Sequence, residues 1–172
     1  DEKILAIKIL NYFASAYIYA GKDNSTECRM IKSIVDAYTE YDVIFGGLEK
    51  VDTVDVSALH HAIYSARLSL SAAAKLRLTL NSGFTGKLTV TYLGETYTYV
   101  VNNGMYNNTN YIDIVLPASG LLSDVQVSDG TSTVTYSVNA YYTMLDTSNK
   151  ALKNMLFCLA EYSKASTNYI NN

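Results

Sequence analysis

Tryptophan is absent from this chain of 172 residues, proline occurs once, and histidine and cysteine occur twice each. These shortages exclude several kinds of chemistry. Sugar-binding surfaces commonly stack rings on exposed aromatics, tryptophan above all, so its absence counts against a carbohydrate platform. The only histidines, His60 and His61, are adjacent. Neighbours in a strand point to opposite faces, and in a helix they diverge by about 100°. They make a poor metal pair, and no His/Cys/carboxylate spacing supports one. No G-x-S-x-G elbow frames a nucleophile, and no glycine-rich loop could cradle a phosphate. Paired-carboxylate chemistry needs two acids across a cleft. Glu95 falls at a hairpin tip and Asp113 on a strand face, where both are expected to be solvated. The chain therefore reads as non-catalytic, with no cofactor and no metal.

Charge is also scarce. Charged residues make up 17%, and 13 Lys and Arg against 16 Asp and Glu leave a net charge of −3. The basic stripe of a nucleic-acid binder is missing. No apolar run reaches the ~20 residues of a membrane span; the opening stretch comes closest, and Lys8 and Asn11 interrupt it. No secretory leader precedes the first helix, so an excised or mature fragment starting at Asp1 is expected. Cys28 and Cys158 leave two alternatives open: a disulfide tying the ends together, or two buried thiols acting as small hydrophobes.

What is abundant points elsewhere. Apolar residues make up 49% of the chain, enough for a real core in one module of residues 1–172. Tyrosine occurs 16 times, and Tyr and Thr favour strands. Polarity carried by Ser, Thr and Asn is the look of many bacterial surface proteins, so a secreted or cell-surface location is expected.

The hydrophobic period changes twice along the chain. Residues 1–41 read as helical. Leu5, Ile9, Tyr12, Ala16 and Tyr19 recur at helical spacing, with Lys8, Asn11 and Ser15 together on another side. Gly21 is a stop signal. Asn24 with Glu27 forms a capping box for a second helix, expected to bury Met30, Ile31, Ile34, Val35 and Tyr38. From about 54 to 138 the period is two. "KLTVTYLGETYTYVV" is the clearest hairpin, with a turn at Gly94-Glu95 pairing Tyr92 with Tyr97, Val90 with Tyr99 and Leu88 with Val101. That register places Tyr97 and Tyr99 in the core. "ARLSLS", "KLRLTL", "YIDIVLP", "DVQVS" and "STVTYSV" supply further strands. Residues 139–170 return to helix, with a short turn in "NAYYTML" and a final helix capped by Asp146, Thr147 or Ser148. The fold class is α+β: an antiparallel sandwich of about seven strands, immunoglobulin-like in appearance, flanked by packed N- and C-terminal helices.

The two terminal helices repeat one phrase. "ILNYFASAYIY" at Ile9 and "LAEYSKASTNYI" at Leu159 align at an offset of 150, matching Leu5 to Met155, Ile9 to Leu159, Tyr12 to Tyr162 and Tyr19 to Tyr169. This echo suggests a helix-and-sandwich unit repeated along a longer parent chain. With "YSVNAYYTML" at Tyr136, these segments resemble large secreted and cell-surface proteins of gut-dwelling Firmicutes. Those proteins carry "LLNYGAAAQTYF"-like helices after a strand-rich region ending in "YSVKDY". The resemblance covers about a third of the chain, and Phe13 and Ser163 stand where the family usually has glycine. It implies an extracellular, multidomain context and supplies no catalytic residues. Some proteins of this type are antibody-binding and superantigen-like.

Two surfaces are candidates for recognition. "VNNGMYNNTNY" carries Tyr106, Asn107, Asn108 and Asn110; Tyr and Asn offer contact area and adaptable hydrogen bonds, although a plain connecting loop would look similar. Asn107-Asn108-Thr109 and Asn24-Ser25-Thr26 also match the glycosylation sequon. The second surface is a threonine-rich sheet face, Thr89, Thr91, Thr96 and Thr98 with Thr133 and Thr135, which suits strand addition or a flat protein contact. A solvated strand face has the same composition. The expected partner is a host glycoprotein, with immunoglobulin the first candidate and a glycan the alternative. Neither nucleic acid nor membrane insertion is expected, and a structural spacer without a ligand remains the other class.

Overall fold

The computed structural model describes residues 1–45, 55–140 and 148–172. The chain divides into two compact units, one formed by 1–50 with 142–172 and the other by 51–141. The α+β expectation holds, with two antiparallel sheets of seven strands together and helices at both ends.

In the helical unit, α1 (Glu2–Tyr19) stops where expected. Gly21 adopts a left-handed φ of +70°, Lys22 N–H bonds to Tyr17 O and Gly21 N–H to Ile18 O. These two bonds satisfy the last carbonyls of the helix in a Schellman arrangement. α2 (Thr26–Ala37) is capped by Ser25, not Asn24: the Ser25 hydroxyl accepts the Cys28 N–H at 3.1 Å. The side chains expected to be buried on α2 are not, since Met30, Ile34 and Tyr38 are exposed and Ile31 and Val35 only half-buried. Cys28 alone is fully buried there. α3 (Lys150–Asn171) is capped by Asn149, whose side chain accepts the Leu152 N–H at 3.1 Å. Of the residues expected in that role, Ser148 is not the cap, and Asp146 and Thr147 lie outside the described residues. The short helical turn in "NAYYTML" is seen in part, because residues 138–140 are helical and the remainder lies outside as well.

α1 packs on α3, and the sequence echo becomes a contact: the rings of Tyr12 and Tyr162 stack with centroids 6.4 Å apart. The buried side of α1 differs from the apolar stripe, because Lys8 and Ser15 are buried alongside Ile7 and Ala14. Lys8 Nζ lies 3.5 Å from Glu161 Oε2 on α3, and Ser163 on the same helix is buried while Phe13 points outward. Cys28 and Cys158 are both free thiols, so the disulfide alternative is not realised. Burial raises the thiol pKa of Cys158, which keeps it protonated and unreactive.

In the strand unit, β1 (Ile63–Leu70), β2 (Ala74–Leu80) and β5 (Tyr111–Val115) form a sheet in the order β1-β2-β5. β3 (Gly86–Tyr92), β4 (Glu95–Val101), β6 (Asp124–Ser128) and β7 (Thr133–Ser137) form the other, in the order β4-β3-β6-β7. Period-two alternation supplies the core. Leu76, Leu78, Leu80, Ile112 and Ile114 come from the first sheet, and Leu88, Val90, Val125, Val127 and Val134 from the second, all buried. In a constant-type immunoglobulin sandwich the fourth strand lies beside the fifth. Here β4 pairs with β3 instead, so β4 and β5 each end a sheet.

His61 has a structural partner: its Nε2 lies 2.9 Å from Asp129 Oδ2, and its ring meets Phe84 edge-on. Asp129 also accepts the N–H groups of Thr131 and Ser132, which hold its carboxyl below the usual range and close the β6–β7 turn.

Candidate functional site: a tyrosine-lined cleft at the sandwich margin

The β3–β4 hairpin turns one residue earlier than expected, which shifts the pairing register by two. Leu93-Gly94 forms the turn, both at positive φ (51° and 80°), and the pairs are Tyr92 with Glu95, Val90 with Tyr97 and Leu88 with Tyr99. A shift of two residues keeps every side chain on its expected face. Tyr97 and Tyr99 therefore do share the inward parity of Leu88 and Val90, yet they are not core residues. Tyr97 is 53% exposed and Tyr99 is half-buried. The reason is β4's place at the sheet margin, where its inward face has no complete sheet opposite.

That overhang opens a cleft of about 370 Å³. The hairpin contributes Tyr92, Leu93, Glu95, Tyr97 and Tyr99; Asp113, Ile114, Val115 and Pro117 close the other side. Leu93 is the unusual member, a bulky residue in the left-handed region. Its side chain lies against Gly120, whose missing Cβ leaves room for both Leu93 and the Tyr92 hydroxyl. The Tyr92 hydroxyl donates to Gly120 O at 2.7 Å, anchoring the cleft floor.

Burial pushes the Tyr92 phenol up to about 12. The folded protein thus holds this proton more tightly than the unfolded chain, whose phenol titrates near 10. The stabilisation is complete below pH 10 and is lost as the pH rises toward 12. Denaturant midpoints taken from pH 9 to pH 12 should fall through that window, and Tyr92→Phe should flatten the fall relative to the parent. An identical decline in both proteins would contradict this role for Tyr92.

The charges around the cleft are held in place. Arg77 donates through Nε and Nη2 to the two carboxylate oxygens of Asp113, each at 2.7 Å, and its guanidinium sits 3.7 Å from the Tyr111 ring centroid. Arg77 holds the Asp113 carboxyl below its ordinary range. Asp113 is therefore a paired carboxylate, not the freely solvated one expected from its strand face. Glu95 is exposed, as expected. Burial, then the neighbouring Tyr106 and Tyr97, raise the Tyr99 phenol, keeping it a hydrogen-bond donor at neutral pH.

The loop candidates meet this cleft at one point. The Tyr106 ring packs edge-on against Tyr99, with centroids 5.1 Å apart. Asn107 and Asn108 both adopt positive φ (46° and 64°) inside a two-residue turn closed by Tyr106 and Thr109. A second such turn, Asn103-Gly104, is closed by Asn102 and Met105. Asparagine tolerates the left-handed region better than most residues, so backbone geometry accounts for much of this loop's asparagine content. Asn110 is exposed beside them, and its carbonyl accepts the Leu80 N–H.

The threonines occupy the opposite face of the four-stranded sheet. Register aligns Thr98, Thr89, Ser128 and Thr133 in one row, and Thr96, Thr91, Gln126 and Thr135 in the next. Thr91 and Thr96 share a hydroxyl hydrogen bond at 3.1 Å. The sequence candidates thus fall on two surfaces. Tyr97, Tyr99 and Leu93, which line the cleft, were not among them. No protein-family model, curated protein or solved structure matches the chain.

Proposed function

We propose that the chain is a non-catalytic binding module of a secreted or cell-surface bacterial protein, and that the cleft between β4 and β5 is its recognition site. The observation that supports this reading is an exposed Tyr97 and a half-buried Tyr99 facing the cleft beside a turn carrying Leu93 at positive φ. Exposed aromatics at a concave margin supply contact area at low entropic cost, and a bulky residue held at strained φ is found where function demands it. The partner we favour is a host glycoprotein, with immunoglobulin the first to test. Arg77–Asp113 and Glu95 at the rim would give orientation, and the tyrosines most of the affinity.

A glycan is the second reading, and the structure removes one objection to it. Hairpin tyrosines buried in a core could not stack on sugar rings; Tyr97 and Tyr99 are open to the cleft, near the carboxylates of Glu95 and Asp113. The test is a binding titration against immunoglobulins of several variable-region families and a polysaccharide panel. Tyr97→Ala, Tyr99→Ala, Tyr106→Ala and Thr91→Lys are measured beside the parent. Loss of a central aromatic at such a site typically costs 2 kcal/mol or more, about 30-fold in affinity. Tyr99→Ala should lose at least that, and Thr91→Lys almost nothing. Binding to polysaccharide alone moves the assignment to the glycan, and no binding to either class makes the chain a spacer.

A further inference from the structure

The four marginal strands are closed off unequally. A sheet edge is a row of unpaired N–H and C=O groups, which natural proteins blunt with charge, proline, bulges or brevity. β1 carries a register shift between Ile63 and Ser65 and places Arg67 on its strand. β5 and β7 are five residues long, and β5 carries Asp113 and leads to Pro117. β4 is the least protected, its one charge, Glu95, standing at the turn end. Its seven residues pair with β3 in unbroken register, and no charge or proline follows Glu95. Thr96 and Thr98 are exposed, and Val100 is 63% exposed.

The two-residue turn determines which groups lie on that rim. In such a hairpin the pair flanking the turn, Tyr92 and Glu95, is hydrogen-bonded, and the pairs alternate from there. The main chain of Tyr97 and Tyr99 therefore faces β3, while the N–H and C=O groups of Thr96, Thr98 and Val100 face outward.

We infer that this rim pairs, antiparallel, with β4 of a second copy of the chain, about a two-fold axis through Thr98. A two-fold contact must be self-complementary, and β4 meets that condition. Thr98 is the midpoint of Glu95–Val101, so this centre pairs the whole strand. It sets Thr98 opposite Thr98, Thr96 opposite Val100, Tyr97 opposite Tyr99 and Glu95 opposite Val101. No like charges oppose one another, and every outward N–H and C=O on the three rim residues finds a partner. The aromatic pairs on one face and the Thr–Val pairs on the other are favourable cross-strand neighbours. Each copy's Tyr97 and Tyr99 would then continue into the other's, joining two clefts into one aromatic strip. The pairing stands whether or not the cleft binds a ligand.

Sedimentation equilibrium of the whole chain over a concentration series tests it. The parent should show reversible dimerisation. Thr98→Pro removes the central outward N–H and no bond to β3, a position where an edge strand tolerates proline; it should weaken association by roughly tenfold or more, with the thermal midpoint unchanged at concentrations where both proteins are monomeric. Thr98→Val should still dimerise. Hydrogen-bonded antiparallel residues have Cα atoms about 5.5 Å apart, within disulfide reach. On mild oxidation Thr98→Cys should therefore link two copies, and Thr96→Cys, whose partner is Val100, should not. Should the proline variant fail to fold, the contrast between the two cysteine variants decides. A parent that stays monomeric into the millimolar range overturns the pairing, as do cysteines at 96 and 98 that link equally.

Discussion

Replacing Lys8 by methionine is expected to cost the helical unit about 3–5 kcal/mol, the loss typical of removing one member of a buried ion pair. The side chains of Lys8 and Glu161 are 4% and 3% exposed, and Nζ and Oε2 lie 3.5 Å apart. Glu161 Oε2 also accepts the Phe45 N–H at 3.2 Å. Its Oε1 has no hydrogen-bond donor among the described residues; Lys164 Nζ stands 3.8 Å away. Without the Lys8 ammonium this carboxylate stays enclosed with little to offset its desolvation. The second contact of Lys8, to Asp42 at 3.2 Å, adds little, because Asp42 is 54% exposed and solvent screens the pair. Removing both members is a different change. Lys8→Met with Glu161→Leu replaces the pair by packed hydrocarbon, which in other proteins is neutral or stabilising. The double variant should recover most of what either single variant loses. Urea denaturation followed by helical dichroism gives the three values. A double variant as unstable as the sum of the singles would mean that the pair is not the source of the loss.

The same residue shows where sequence pattern stops being informative. α1 carries apolar residues around nearly its whole circumference, so periodicity alone does not choose the inward face. The polar stripe of Lys8 and Ser15 reads as the outward side, yet Glu161 draws it inside, and that partner lies more than 150 residues away. Elsewhere the local signals sufficed. Alternation in "KLRLTL" and "DVQVS" marks strands whose inward residues are all buried, and Gly21 ends α1 where a left-handed residue is needed. The candidate site falls between these cases. Parity assigns Tyr97 and Tyr99 to the inward face correctly, and a register displaced by two residues does no harm to that assignment. Which strand lies beyond β4 is set by long-range pairing, and no feature of the hairpin announces that none of the described strands does. The incomplete burial of the two tyrosines follows from topology alone.

Gly104→Ala is expected to cost the strand unit about 2–5 kcal/mol and to weaken any ligand held by the cleft. Two effects combine. Gly104 has φ +71°, a conformation that costs a residue with a Cβ roughly 1–2 kcal/mol. A Cβ there would also stand 2.7 Å from Asn81 O and 2.9 Å from Ser82 Cα, both backbone atoms with no rotamer to escape into. Forcing a methyl into a packed site adds about 1–3 kcal/mol. The close approach has a purpose, because Gly104 N–H donates to Phe84 O at 2.7 Å and the Asn103 N–H is accepted by the Thr85 hydroxyl at 2.9 Å. These bonds tie the Asn103-Gly104 turn to the segment between β2 and β3, and the Asn107-Asn108 turn carries Tyr106 onto Tyr99. Pushing Gly104 outward should therefore release the Tyr106 ring as well as destabilise the fold. Gly94→Ala provides the contrast, since that glycine also has positive φ (+80°) but open space around it, so it should lose only the conformational part. Chemical denaturation of both variants, with the aromatic ring resonances of Tyr99 and Tyr106 followed by NMR, separates the two effects. Equal losses for the two alanines would show that the Asn81 contact yields easily. An unchanged Tyr99–Tyr106 contact in Gly104→Ala would show that the Asn103-Gly104 turn does not position the ring.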